Sequence, residues 1–217
     1  MLDQTLIIDL ARYAHILAVA IGFGTAFLAD YHLLSRLRRP VSDNFLESLE
    51  LYHSVVWKMI IAMWITGLIL IGIRTGFVLS NFSPKLISKL VTVGILTANA
   101  ALISRFAMPV IRAARGRSIL WLPRQTKLGL AIIGAISSAS WLLALAMGSS
   151  KVLAASSSSV FLVLLPLAYG TAVVLALATI GVGSKLIKAR VSWPKSGPVP
   201  AAVPTARAQV PSPIPAE

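Results

Sequence analysis

Five long apolar blocks, separated by charged or polar connections, occupy most of the first 180 residues of the chain. They run over residues 6–29, 55–73, 86–104, 128–147 and 154–180, and the last two contain no charged residue in 20 and 27 positions respectively. With a rise of about 1.5 Å per residue, each block crosses the roughly 30 Å of bilayer hydrocarbon when helical. Open strand edges find no hydrogen-bond partner in lipid, so helices are the form these blocks must take. The pattern predicts an all-α integral membrane protein, a five-transmembrane-helix bundle over residues 1–190. Composition agrees: 12% of the 217 residues are charged, about half of what covers a soluble domain, and mean hydropathy is +0.83. A cleavable leader is the competing reading of the first block, but Asp3 and Asp9 stand where a leader carries basic residues.

The five crossings place the termini on opposite sides of the membrane. Fifteen Lys/Arg fall in or beside the first connection (Arg36, Arg38, Arg39, Lys58), the third (from Arg105 to Lys127) and the C-terminal region, whereas five fall on the other side: Arg12, Arg74, Lys85, Lys89 and Lys151. The positive-inside rule then puts the N-terminus outside and the C-terminus in the cytoplasm. The Ala-rich composition and this asymmetry point to a bacterial cell inner membrane. The net charge of +13 is mostly a topology signal. Arg112, Arg115 and Arg117 lack interleaved aromatics and a nucleic-acid module, so anionic lipid head groups, not nucleic acid, are their expected partners.

The first connection has room for a short interfacial helix capped by Ser42 or Asp43, with Phe45, Leu46, Leu49 and Tyr52 at helical spacing. The third, with Pro109 and Pro123, is expected to lie along the head groups, and residues 148–159 read as an exposed loop. Pro166 is expected to kink the fifth helix. Beyond Trp193, seven prolines in 24 residues predict a disordered, Pro-rich cytoplasmic tail over residues 191–217.

Chemistry is limited by what is missing. The chain has no Cys, which removes disulfides, thiolate metal sites and thiol catalysis. No Walker lysine motif, GxSxG, HExxH or intramembrane carboxylate pair is present. The first helix is the informative element. At 100° per residue, Ala11, His15, Ala18, Gly22, Ala26 and Ala29 share one narrow sector. An ionisable residue on such a stripe faces the bundle, where it is neutral and either ligates or hydrogen-bonds. His15 therefore reads either as a haem or metal ligand or as a packed helix-interface histidine. Asp9 and Arg12 can pair with each other. His32 and His53 meet near the cytoplasmic interface, about 21 Å or more below His15 by helix rise, and can form a pair there. Lys89 either snorkels or neutralises a carboxylate such as Asp9 or a haem propionate. Thr92, Thr97 and Asn99 are expected to bond between helices, while Trp57, Trp64, Gly134 and Ser138 read as packing.

The Tyr13-Ala14-His15-Ile16-Leu17 start, Gly22 and Gly24, the arginine-rich first connection, and Lys89-Leu90 are similar to small bacterial membrane proteins around HemJ-type protoporphyrinogen oxidase and the CopD copper-resistance domain. The similarity covers about the first 105 residues. It implies haem b bound through His15, with Lys89 as a cofactor-binding or proton-transfer partner. Asn99 or Ala100 stands where the HemJ type carries its third-helix histidine, which leaves an open or single-histidine haem site. The other reading is a non-enzymatic membrane protein that acts by packing, as a homo-oligomer, or by passing a small solute.

Overall fold

The computed structural model describes residues 2–190, all of whose regular elements are helical. The proline-rich segment over 191–217 lies outside the described residues. Helix α1 (Leu2–Ser35) is followed by α2 (Asp43–Thr75) and α3 (Pro84–Leu102). A π-helical turn (Ile103–Ala107) joins α3 to α4 (Met108–Ala113), and α5 (Arg124–Ser149), a short α6 (Lys151–Ala154) and α7 (Ser158–Arg190) complete the chain. Five helical stretches are long and apolar enough to cross a membrane: residues 4–35, 43–75, 84–113, 124–149 and 158–179.

These helices extend beyond several of the expected apolar blocks. The first connection holds no separate interfacial helix. Ser42 caps α2 by accepting from Phe45 N at 3.4 Å, and no Pro or Gly interrupts the chain before Gly67, so the segment continues into the second span. Phe45, Leu46 and Leu49 are buried against α4 and the adjoining loop rather than turned to head groups. The third span runs through to Ala113. The π-helical turn precedes Pro109, which falls in the first turn of α4 and needs no backbone N–H there. Residues 148–159 include the turn α6, capped by Ser150 accepting from Leu153 N. Helix α7 continues through Pro166.

Gly76 closes α2 in the left-handed conformation (φ 58°), with its N–H returned to Gly72 O at 2.9 Å. Phe77 shares that conformation (φ 58°) although it has a Cβ. Its N–H bonds Thr75 Oγ1, and its ring lies over Gly72, where any side chain would collide.

Helix α1 packs chiefly on α2, α5 on α7 and α3. The small-residue stripe is the buried face of α1: Ala11, Ala18, Gly22 and Ala26 are all buried. Ala18 and Ala26 join Ile60, Met63, Leu96 and Trp141 in the central core. The edge of the Trp141 ring enters the notch left by Gly22, where a Cβ would stand 2.3 Å from the ring and 3.1 Å from Met59 Cβ. Outward-facing apolar residues on α1 and α7, such as Leu10 and Leu162, are exposed.

The two arginine-rich connections dock on each other at one end of the bundle. Val41 N donates to Arg117 O at 3.0 Å, Gly116 N to Val41 O at 2.9 Å, and Ser118 Oγ to Leu37 O at 2.6 Å. Arg112 pairs with Glu50 at 2.8 Å and Arg115 with Asp43. The hydrogen bond that Arg115 donates to the Asp43 carboxylate, and then the carboxylate's charge, raise the pKa of the exposed Arg115. Such exposed pairs add little to stability. Arg117 pairs with no carboxylate among the described residues.

The Gly22 notch gives the first test. Gly22→Ala should destabilise the detergent-solubilised protein by about 1–3 kcal/mol, because the tryptophan ring must shift. Gly24→Ala, with nothing within 4 Å of the new methyl, should leave the thermal midpoint unchanged.

Candidate functional site

His15 projects from α1 onto α2. Its Nδ1 lies 2.8 Å from Thr66 Oγ1, and its Cε1 would be 3.5 Å from a Cβ on Gly67. Thr66 has one hydroxyl proton and a carbonyl, Ala62 O, only 2.7 Å away. A contact that short needs the proton between the two oxygens, so Thr66 Oγ1 accepts from His15 Nδ1–H. With Nδ1 donating, the ring's lone pair falls on Nε2, and the ring has a second, backbone hydrogen-bond partner at Met63. Lys89 is half-buried on α3. Lys85 Nζ is anchored by Ser150 O at 2.9 Å. Asp9 pairs with Arg12 at 3.1 Å, as the i, i+3 spacing implies, and not with Lys89.

The structure gives His32 and His53 separate partners. His32 packs edge-on against Phe45 with ring centroids 5.2 Å apart, whereas His53 Nε2 meets Ser104 Oγ at 2.7 Å. Trp57 Nε1 donates to the same Ser104, and Trp64 Nε1 to Thr97 Oγ1 at 3.0 Å, so both tryptophans bond as well as pack. Asn99 Nδ2 crosses to Ile133 O at 3.1 Å. Among the described residues no three His, Cys, Asp or Glu gather as a metal site.

Two polar links escaped the sequence reading. Tyr169 on α7 meets Ser140 Oγ at 3.0 Å. Ser140 spends its own proton on Ile136 O, so the tyrosine is the donor. Asp30, near the end of α1, accepts from Ser138 Oγ at 2.9 Å. Asp30 ends an apolar run and Ser138 sits in an uncharged one, and no spacing in the chain relates two residues 108 positions apart.

Asp30 and Ser138 line an open space in the bundle. Helix α1 leans on one side of α5 and α7 on another, leaving a cleft of about 1330 Å³ over the face of α5 between them. Small and aliphatic side chains form its walls, among them Gly134, Ala135 and Leu142 from α5 and Leu167, Ala172 and Leu175 from α7. Gly134 and Ser138 thus line open space instead of a packed contact. Arg38, Arg39 and Lys127 border its lower end, beside the docked connections, and His15 and Lys89 are not among its lining residues.

Compared with protein-family models, curated proteins and solved structures, the chain matches none.

The His15–Thr66 bond is measurable. A double-mutant cycle with His15→Ala and Thr66→Val should return a coupling of about 0.6 kcal/mol, the average for polar bonds between membrane helices. It is read from unfolding of the detergent-solubilised protein, and zero coupling would disprove the bond.

Proposed function

We propose that this chain is a non-enzymatic multipass membrane protein that holds a lipid-like amphiphile in the cleft between α1, α5 and α7. The cleft itself carries this reading. Ligand sites are concave and mostly apolar with a few convergent polar groups, and here mostly apolar walls carry the Asp30 carboxyl, the Ser138 hydroxyl bonded to it, and the hydroxyls of Ser35, Thr171 and Thr179. In a bilayer such a space is filled from the side by lipid. The charge distribution supports an orientation with the docked arginine-rich connections in the cytoplasm of a bacterial inner membrane. Arg117, free of carboxylates among the described residues, is the best placed of the three loop arginines to meet anionic head groups.

Filling the cleft tests the reading. Ala135→Trp, or Ala172→Phe if the first variant is unstable, should lower the lipid that co-purifies with the protein in mild detergent to background. Unchanged lipid content in a folded variant would refute it.

A second reading concerns His15. Its Nδ1–H is spent on Thr66, the arrangement that orients an imidazole for ligation through Nε2. With the resemblance of the first 105 residues to the HemJ and CopD group, this supports His15 as a single axial ligand to haem b and Lys89 as the partner of a propionate. Haem held there would supply one-electron redox chemistry. After haem-supplied expression, this reading expects a Soret band that disappears in His15→Ala. No band in the wild-type protein removes it.

A further inference from the structure

The cleft is apolar along its length and cationic at one end. Resting on the reading of this space as an amphiphile site, we infer that its occupant is an anionic phospholipid, with its phosphate against Arg38 and Arg39 and its acyl chains along α5 and α7. Arg38 and Arg39 are both exposed, and no carboxylate among the described residues pairs with either. The neighbouring Arg36 is spent differently, stacked over the Phe45 ring at 5.9 Å. Lys127 gives one proton to Leu120 O at 3.0 Å, which holds the ammonium at the rim with two donors left. Three cations so placed match a phosphate, and the two guanidinium forks favour it.

Asp30 is the one carboxylate among the described lining residues. It lies five residues before the end of α1 at Ser35, about 7.5 Å along the helix axis, and Arg38 follows in the turn beyond. That separation puts it at the level of the acyl chains, where its bond to Ser138 satisfies it. A head group at the rim meets cations with no carboxylate beside them. The cation of a choline or ethanolamine head therefore finds no partner there, and a net-negative head is preferred over a zwitterionic one.

Native mass spectrometry of the full-length protein, released from nanodiscs of equal parts phosphatidylglycerol and phosphatidylcholine, tests this. Total bound lipid reports on the cleft, and the ratio of the two lipids reports on the head group. The wild-type protein should retain phosphatidylglycerol preferentially. Arg38→Gln should lower that preference about five-fold, and Arg38→Gln with Arg39→Gln about thirty-fold, with the total little changed. Equal retention of both lipids by the wild-type protein, or a ratio unaltered in the double variant, overturns the inference while leaving the cleft reading intact. Bound lipid that survives Ala135→Trp instead overturns the cleft reading. A lipid-free dimer, or lipid uptake only after removal of residues 191–217, would assign the space to a second copy or to the chain's own end, and overturns both.

Discussion

A polar group buried among apolar helices costs free energy unless it is hydrogen-bonded, and this condition governs the bundle at two scales. Backbone amides and carbonyls are satisfied inside helices, which leaves side chains to connect one helix to the next. The connections observed are few and short. His15 joins α1 to α2 through Thr66, Trp64 joins α2 to α3 through Thr97, Asn99 joins α3 to α5 through the Ile133 carbonyl, and Tyr169 joins α7 to α5 through Ser140. Each hydroxyl that receives an interhelical bond at Thr66, Thr97 and Ser140 also donates to a carbonyl of its own helix. One side chain thereby satisfies itself locally and still offers an acceptor to its neighbour.

The apolar part of the core follows from size. Gly22 removes the side chain that would keep Trp141 away, so α1 comes close to α5 at that level. Nearer the arginine-rich end Asp30 reaches across to Ser138 on α5 beside open space. The cleft lies between residues of α1, α5 and α7, and the docked connections supply its cationic end. The site is thus a by-product of how three helices meet, with no single helix carrying it.

Much of the architecture was legible in advance. The number of spans follows from the apolar blocks, and the buried face of α1 from the phase of Ala11, Ala18, Gly22 and Ala26. Boundaries were less legible. Phe45, Leu46 and Leu49 look interfacial in sequence because their helical spacing alternates with Glu47 and Glu50. They are buried only because α4 and the loop after it fold over them. Pro109 reads as a helix end, but the π-helical turn before it allows the helical path to continue.

What the order of residues determined by itself is everything that depends on one segment at a time: five apolar lengths, their helical form, the stripe on α1 and the charge difference between alternate connections. These are properties of hydropathy and helical period, which act over a few turns. Which polar side chains meet was decided by tertiary structure alone. His15 with Thr66, Asp30 with Ser138, His53 with Ser104, and His32 with Phe45 depend on the rotation and tilt of packed helices. Those are set by the fit of side chains such as Trp141 into notches such as Gly22, a sum of many contacts between distant parts of the chain that no local pattern encodes.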